Sequence, residues 1–312
     1  MEQDKIIRNL IQNENKKFKG KHFIHTIFSE ENNAEFKLLY KEWQKDFLNH
    51  ANLEKCDLDW IICECLEIER NKINLIQSIS NEQKIKIDNA IEMRKRGIPI
   101  QRIFGIAYFY GYKFLLNDDC LIPRFDTEIL VETVIKCYQS EEETKADFQI
   151  LDLCTGSGCI AVALKKNIKA SIFGSDINEN ALNISKINAD LNNVNIEFIQ
   201  SNLFEKIDKH LKFDYIVSNP PYIKTDDINK LQSEVKNHDP FIALDGGIDG
   251  FDFYKKIIND SILFLKENGI LFLEIGENQT EFIENLLKTN YCNIKFVNDL
   301  QGIKRVVYAC KK

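Results

Sequence analysis

Two kinds of hydrophobic pattern divide this chain near residue 100. From about Asn33 to Arg96, apolar residues recur three and four positions apart, which predicts amphipathic helices. From Phe148 onward, short apolar runs alternate with helical periodicity, which predicts a parallel α/β sheet. Between these parts, Gly105 and Gly111 interrupt an aromatic, β-branched stretch that is typical of a β-hairpin.

These patterns predict a domain order and a set of elements. We assign residues 1–30 to an N-terminal extension, 31–99 to a helical domain, 100–122 to a β-hairpin linker and 123–312 to the α/β domain. The predicted strands are 148–153, 170–175, 195–199, 213–218, 269–275, 292–297 and 304–310. Helices are predicted near 158–166, 178–191, 252–266 and 278–289. The final strand is expected to return as an antiparallel edge of an open, seven-stranded and mostly parallel sheet.

Polar residues indicate where two of the helices begin. Ser80, followed by Gln83, offers capping groups for the third helix of the helical domain. Asp126 or Thr127 can cap the helix that follows Pro123.

Composition changes this picture only by excluding some classes of protein. Of the 312 residues, 44% are hydrophobic and 29% are charged, as in an ordinary globular protein with ample core. No run of about 18 apolar residues is present and the first residues are polar, so we expect a cytoplasmic protein without membrane contact. The nine cysteines include no Cys-x-x-Cys pair, which favours reduced thiols over disulfides and predicts no metal.

The charge balance bears on the substrate. The net charge is −7, and residues 105–312 hold 23 Lys and Arg against 31 Asp and Glu, a balance of −8. Binding to duplex DNA depends on neutralising phosphates, so an acidic α/β domain argues against such a substrate. No stable nucleic-acid binding is expected.

The first candidate site is a glycine turn between a strand and a helix, Cys154-Thr155-Gly156-Ser157-Gly158. Its two glycines allow the backbone to approach a ligand, and the helix that follows offers unpaired N–H groups. A dinucleotide loop is one reading, and Ala161 in the third glycine position does not decide against it. Asp152, however, lies in the preceding strand, where a carboxylate would repel a pyrophosphate and suits an ammonium group.

The ends of the next two strands complete a nucleoside site. Asp176 follows the second strand, where a carboxylate can accept both hydroxyls of a ribose; capping of the next helix is the alternative. Asn202 and Leu203 follow the third strand and can meet an adenine ring. An amino acid, a ribose and an adenine together indicate S-adenosylmethionine as the cofactor.

The second candidate site is the segment Asn219-Pro220-Pro221-Tyr222, which we call the ledge. It follows an apolar strand that two consecutive prolines cannot continue, so it is predicted to be stiff and extended. The ledge offers the side-chain carbonyl of Asn219, the backbone carbonyl of Pro220 and the ring of Tyr222. These groups suit a planar NH2 on an sp2 carbon, since two carbonyls can accept its two N–H bonds while the ring stacks on its plane. An ordinary strand exit with a Pro-Pro turn is the alternative.

With these motifs the chain resembles a class I, Rossmann-like methyltransferase, and more narrowly the PrmC/HemK family of protein-(glutamine-N(5)) methyltransferases. The resemblance runs from about Asp57 to the C-terminus. The most specific segments are 121–128 (LIPRFDTE), 219–223 (NPPYI), 243–250 (ALDGGIDG) and 272–276 (FLEIG), together with Gln279. The chain departs from the family pattern at Phe125, Cys154 and Asn202, where a proline, a glycine and an acid are usual.

The resemblance implies a reaction, a cofactor and a partner. It implies methyl transfer from S-adenosylmethionine to the glutamine of the Gly-Gly-Gln loop of peptide chain release factors, and we expect a monomer. Asn219, Pro220 and Tyr222 are the expected catalytic residues, and Pro221 joins them in substrate binding. The expected cofactor-binding residues are Asp152, Cys154, Thr155, Gly156, Ser157, Gly158, Asp176, Asn202, Leu203 and Asn219.

Three other functions are compatible with parts of the pattern. The exocyclic amine of adenine or guanine is also a planar NH2, so a nucleic acid methyltransferase is the nearest alternative. A non-catalytic cofactor-binding module and a nicotinamide dehydrogenase are more distant; the ledge argues against the first and Asp152 against the second. The roles of Arg124, Asp126, Glu128 and Glu274 remain open at this point.

Overall fold

The computed structural model describes residues 34–50, 53–140 and 147–312, and it divides after Gly105 into two compact units. The predicted N-terminal extension, residues 1–30, lies outside the described residues.

The first unit is helical, as its apolar spacing predicts. The bounds are α1 Phe36–Leu48, α2 Lys55–Leu66, α3 Asn81–Lys95 and α4 Ile100–Phe104, with a 3-10 turn at Arg70–Leu75 and two short antiparallel strands, β1 Ala34–Glu35 and β2 Ser78–Ile79. Its core holds the residues that recur at helical spacing, among them Phe47, Ile61 and Ile87. Ser80 and Gln83 form the predicted capping box at the start of α3.

The second unit begins with the β-hairpin, which is shorter than the predicted linker. Its strands are β3 Ile106–Phe109 and β4 Tyr112–Leu115. Residues 100–104 form helix α4 instead of a strand. Pro99 precedes this helix with a fixed φ of −57°, and Gly105 ends it in a left-handed conformation at φ 65°.

Seven strands form one twisted α/β sheet in the order β10-β11-β9-β8-β5-β6-β7. The strands are β5 Gln149–Leu153, β6 Ser171–Asp176, β7 Glu197–Gln200, β8 Phe213–Ser218, β9 Leu265–Glu274, β10 Tyr291–Asn298 and β11 Lys304–Lys311. Strands β5 to β9 run parallel, and β11 is antiparallel to both of its neighbours. The predicted mostly parallel sheet with an antiparallel return is confirmed.

Helices accompany the sheet strands in chain order. They are α5 Thr127–Gln139, α6 Cys159–Asn167, α7 Glu179–Leu191, α8 Thr225–Ile228, α9 Ser233–His238, α10 Phe241–Leu244, α11 Asp252–Asp260 and α12 Thr280–Leu287. The prediction of one helix over 252–266 is wrong at its end. Helix α11 stops at Asp260, and β9 already begins at Leu265, which pairs with Phe213 of β8.

The sheet separates two hydrophobic cores. Successive residues of a strand point to opposite faces, and accordingly Ile216 and Val217 of β8 belong to different buried clusters. The parallel pairing aligns Leu153 with both Ser175 and Ser218. The carboxyl ends of β5, β6 and β8 therefore meet at one edge of the sheet, where ligands bind in open α/β folds.

Candidate active site

A cavity of about 140 Å³ opens at this edge of the sheet. Residues from the segments after β5, β6, β7 and β8 line it, together with residues from the segment before α5, the start of α5, α10 and α11. Among the residues predicted from the sequence, those that line it are Cys154, Thr155, Gly156, Ser157, Asp176, Asn202, Leu203, Asn219 and Pro221. The residues expected to bind the nucleoside and the residues of the ledge belong to separate sequence motifs, and both sets line one cavity.

The glycine turn is fixed by its own backbone bonds. The N–H of Thr155 donates to the Ser175 carbonyl at 2.9 Å, and the N–H of Gly158 donates to the Thr155 carbonyl at 2.8 Å. Gly158 has φ +79°, and a Cβ there would lie 2.9 Å from the Cβ of Ser185. Only glycine fits this position, although Gly158 does not itself line the cavity.

Asp152 lies behind the glycine turn and does not line the cavity. Its side chain is fully buried, and Oδ2 accepts hydrogen bonds from the Thr155 hydroxyl at 2.6 Å and the Ala161 N–H at 3.1 Å. Burial raises the pKa of this carboxyl to about 7. Its Oδ1 has no hydrogen-bond partner among the described residues. One oxygen of Asp152 thus holds the turn, and contact with a ligand ammonium stays a prediction.

Asp176 holds the turn from the cavity side. Its Oδ2 accepts the N–H of Gly156 and its Oδ1 accepts the N–H of Asn178, both at 2.9 Å. Burial raises the pKa of this carboxyl. The cap of α7 is Asn178, whose side chain accepts the N–H groups of Asn180 and Ala181. Asp176 is therefore not the cap of α7, and its remaining lone pairs face a cavity that it lines.

The predicted adenine residues have different environments. Asn202 donates from Nδ2 to Glu205 Oε1 at 2.7 Å, which orients its amide locally. Leu203 is buried in the core and has φ 49°, a left-handed conformation that is uncommon for leucine. Both residues line the cavity.

The ledge presents only part of its chemistry to the cavity. Asn219 and Pro221 line the cavity, whereas Pro220 and Tyr222 are not among the lining residues. Asn219 donates from Nδ2 to Thr127 Oγ1 at 3.1 Å, and the Tyr222 hydroxyl donates to Glu274 Oε1 at 3.3 Å. Stacking of the Tyr222 ring on a substrate amide therefore stays a prediction, since the ring does not line the cavity and its hydroxyl is bonded to a buried carboxylate.

The segment around Gly246 braces the ledge from outside. The N–H of Ile223 donates to the Leu244 carbonyl at 3.0 Å, and the N–H of Gly246 donates back to the Ile223 carbonyl at 2.7 Å. A Cβ on Gly246 would lie 2.7 Å from the Cα of Tyr222, so glycine is needed for this close approach. Gln279 adds a bond from Nε2 to the Tyr222 carbonyl at 3.0 Å. The sequence marks this segment only through the family resemblance of residues 243–250, which gives no sign of its contact with the ledge.

Asp239 joins two walls of the cavity. Its buried carboxylate accepts the N–H of Ile122 at 3.3 Å and forms an ion pair with Arg124. Arg124 lines the cavity, as do Ile242 and Ala243 of α10. The ion pair thus joins two segments that line the cavity, and no periodic or glycine signal in the sequence marks Asp239 as the partner of Arg124.

The start of α5 differs from the prediction. Asp126 occupies the N-cap position without a side-chain capping bond, and Thr127 is the first residue of the helix. Asp126 therefore stands at the predicted N-cap position but forms no side-chain capping bond, and capping by Thr127 is wrong. The Thr127 hydroxyl is engaged by Asn219, and Glu128 accepts the N–H of Tyr110 at 2.7 Å.

Asn188 of α7 is a buried anchor that sequence reasoning did not single out. Its Oδ1 accepts the N–H of Leu115 at 2.7 Å, and its Nδ2 donates to the carbonyls of Leu115 at 3.0 Å and Ser157 at 2.9 Å. This one side chain ties the hairpin to the glycine turn. An asparagine inside a helical pattern carries no sequence signal of such a role.

The described residues include no candidate membrane-spanning helix and no candidate metal-binding cluster. Within residues 34–50, 53–140 and 147–312, none of the helices combines the length and apolar character that a membrane crossing requires. In the same ranges, no group of three or more His, Cys, Asp or Glu side chains could hold a metal ion.

The sheet order, the glycine turn and the acidic end of the second strand define a class I methyltransferase. Residues 126–237 match the family model described as a methyltransferase small domain, and residues 41–105 match the PrmC N-terminal domain.

Proteins of similar sequence identify one family within this class. The chain is 40% identical over 269 residues to a release factor glutamine methyltransferase of Thermodesulfovibrio yellowstonii, covering 84% of this chain and 95% of the relative. Similar proteins of the same description from Fusobacterium nucleatum and Bacillus subtilis are 41% and 33% identical; the matches cover 82% and 86% of this chain and 73% and 95% of those relatives. The chain belongs to the release factor glutamine methyltransferase family.

Proposed function

We propose that this protein transfers a methyl group from S-adenosylmethionine to the side-chain amide nitrogen of a glutamine in a peptide chain release factor, within the Gly-Gly-Gln motif. Family membership supports the reaction class. The observation that carries the proposal is that the Asn219 amide and the Asp176 carboxylate line the same cavity.

The residues of the cavity fit the donor. The Asp176 carboxylate suits the ribose hydroxyls, and Asn202 and Leu203 suit the adenine. At Gly156 a Cβ would have no atom within 4 Å, so the turn leaves open space beside its backbone. Asp152 lies behind the turn with its Oδ1 unpartnered among the described residues, and contact of that oxygen with the ammonium group of the donor stays a prediction. When bound, S-adenosylmethionine supplies an electrophilic methyl group on a sulfonium sulfur.

The ledge can compensate for the low nucleophilicity of the glutamine amide nitrogen. A carboxamide nitrogen is a poor nucleophile because its lone pair is delocalised into the carbonyl. The side-chain carbonyl of Asn219 and the backbone carbonyl of Pro220 can accept the two N–H bonds of this amide, which orients the nitrogen and stabilises positive charge as it develops. Alignment within about 3–3.5 Å of the reacting atoms then supplies much of the rate.

No group of the ledge needs to remove a proton before transfer. Asn219 and Pro220 act as acceptors throughout, and the proton can leave the methylated nitrogen afterwards. We further propose that the reaction takes place in the cytoplasm; the monomeric state stays a prediction.

The test is to incubate the protein with tritiated S-adenosylmethionine and purified release factor, and to map the label by mass spectrometry of peptides. We expect one methyl group on the Gly-Gly-Gln glutamine and no label on a release factor in which this glutamine is replaced. DNA and ribosomal RNA serve as competing acceptors in the same assay. Label on an exocyclic amine of a nucleic acid, with none on release factor, would contradict the proposal.

A further inference from the structure

We propose that Thr127 and Glu274 are positioning residues that determine which way the Asn219 amide faces. The inference rests on the proposed function, since it concerns how the ledge meets an acceptor amide. It concerns side chains that come from three distant parts of the chain.

The first contact joins the ledge to helix α5. Asn219 Nδ2 lies 3.1 Å from Thr127 Oγ1 and donates to it. Thr127 is 3% exposed and lines the cavity beside Asn219. Both partners therefore sit where an acceptor amide would enter, and water competes little with the bond.

The second contact involves Glu274, at the end of β9. This carboxylate is 2% exposed and accepts the Tyr222 hydroxyl at 3.3 Å through Oε1. Burial raises the pKa of this carboxyl, and the neighbouring Thr127 hydroxyl and the charge of Arg305 partly oppose that rise. Oε2 has no geometric hydrogen-bond partner among the described residues. Two hydroxyls and a cation thus face one buried carboxylate.

Above its pKa the Glu274 carboxylate is ionised and can only accept hydrogen bonds, which sets the direction in which Thr127 and Asn219 donate. The Thr127 hydroxyl gives its proton toward Glu274 and keeps its lone pairs for Asn219. A lone pair on Thr127 can be met only by the Nδ2 end of the amide. The Asn219 carbonyl is then directed away from Thr127, and it is the end that an acceptor N–H requires.

A reversed amide would be unproductive. It would turn its own NH2 group toward the NH2 of the acceptor, so that two donors face each other. Glu274 does not line the cavity, so its influence reaches the acceptor through Thr127 and Asn219.

The experiment compares Thr127→Val, which keeps the shape and removes the hydroxyl, with Thr127→Ser, which keeps the hydroxyl. The matched control is Thr133→Val, because Thr133 is a buried threonine of the same helix whose hydroxyl donates to the Ile129 carbonyl at 2.7 Å. For each variant, kcat is measured at saturating donor and release factor. The Kd for S-adenosylhomocysteine is measured by isothermal titration.

We expect Thr127→Val to lower kcat about 10-fold or more, as loss of one oriented hydrogen bond would. Thr127→Ser should recover most of that loss, and Thr133→Val should leave kcat unchanged. The Kd for S-adenosylhomocysteine should change little in all three. In an Asn219→Ala background, Thr127→Val should cause no further loss, since the hydroxyl acts through that amide.

A second measurement separates this inference from the proposed function. The side-chain amide of Asn219, assigned by its absence in Asn219→Ala, should give distinct and exchange-protected NMR signals in the wild type and in Thr127→Ser but not in Thr127→Val. Unchanged signals and unchanged kcat in Thr127→Val would overturn the inference while leaving release factor methylation intact. If the wild type methylates no release factor, the proposed function fails, and the amide signals still decide the role of Thr127.

Discussion

The carboxylate of Asp176 accepts a hydrogen bond from the backbone N–H of Gly156 at 2.9 Å, which joins the end of β6 to the turn after β5. The residue expected to bind the ribose therefore also shapes the turn expected to surround the rest of the cofactor. Cofactor affinity and turn geometry are coupled through one side chain.

Asp176→Ala should abolish most cofactor binding. It removes the ribose acceptor and releases the Gly156 N–H, so we expect the Kd for S-adenosylhomocysteine to rise about 100-fold or more. Isothermal titration measures this directly. Asp190→Ala is the control, because Asp190 is an exposed carboxylate in α7 and its loss should leave the Kd unchanged.

Asn219→Ala should have the opposite profile. The variant lacks the side-chain carbonyl that is expected to bind an N–H of the substrate amide. We therefore expect kcat to fall about 100-fold or more, while the Kd for S-adenosylhomocysteine changes little. Tritium transfer to release factor and isothermal titration give the two values. An equal collapse of cofactor binding would show that the role assigned to Asn219 is wrong.

Asn188→Ala should destabilise the second unit by about 3 kcal/mol. It leaves three buried backbone groups of Leu115 and Ser157 without their partner. Asn192→Ala, one turn further along the chain, removes a bond to the Lys113 carbonyl at a more exposed position and should cost about 1 kcal/mol. Urea unfolding of both variants tests the difference, and equal losses would contradict the anchor role.

Cys154→Gly should be more stable than Cys154→Ala by about 1 kcal/mol. Cys154 has φ 60°, a left-handed conformation that any side chain strains and glycine does not. Comparison with alanine removes the thiol in both variants, so that only the backbone effect remains. Urea midpoints provide the measurement, and a more stable alanine variant would refute the strain.

Glu274 should make stability and activity respond to pH in opposite directions. Burial raises its pKa to about 7, so its contribution to stability is complete below the pKa of the unfolded chain and is lost as the pH rises through 7. The ionised form, however, is the one that orients Thr127, so below that pKa kcat should fall and then level off at about the 10-fold loss expected for Thr127→Val. The groups around it are Thr127, Tyr222, Arg305 and Asp126, together with Tyr254, whose hydroxyl donates to the Glu274 backbone carbonyl.

Glu274→Gln isolates this group from the other buried carboxyl, Asp152, which titrates in the same range. The variant should lose the inflection near pH 7 in kcat at saturating donor, and its thermal midpoint should fall less between pH 5 and pH 8 than that of the wild type. An inflection of unchanged size would assign it to a different group.

Local patterns of apolar and polar residues predicted most of the fold. Each strand of the sheet was predicted because an apolar run ends in glycine, proline or a polar residue, as at Ser218 and Asp176. The error at Leu265 has a physical cause, because Lys266, Glu267 and Asn268 follow it and give no strand signal. Pairing with β8 decides that segment, and such pairing lies beyond any local pattern.

The candidate site was predictable where the backbone itself is unusual. Glycines, consecutive prolines and an acid inside an apolar strand revealed the turn, the ledge and Asp152. The roles of Thr127, Asp239 and Asn188 were not predicted, because each acts through a contact with residues far away along the chain. Their residue types are ordinary in a helix or a loop, and only the folded chain shows what they bind.

The bonds between Ile223 and the segment at Leu244 to Gly246 also bear on how the family can diversify. They join the two ends of a segment that contains α8 and α9, residues 225–238. Because hydrogen bonds close this segment where it leaves the fold, insertions or deletions within it cost little free energy and do not move its two ends. The length of this segment can therefore change while the ledge at its base stays in place.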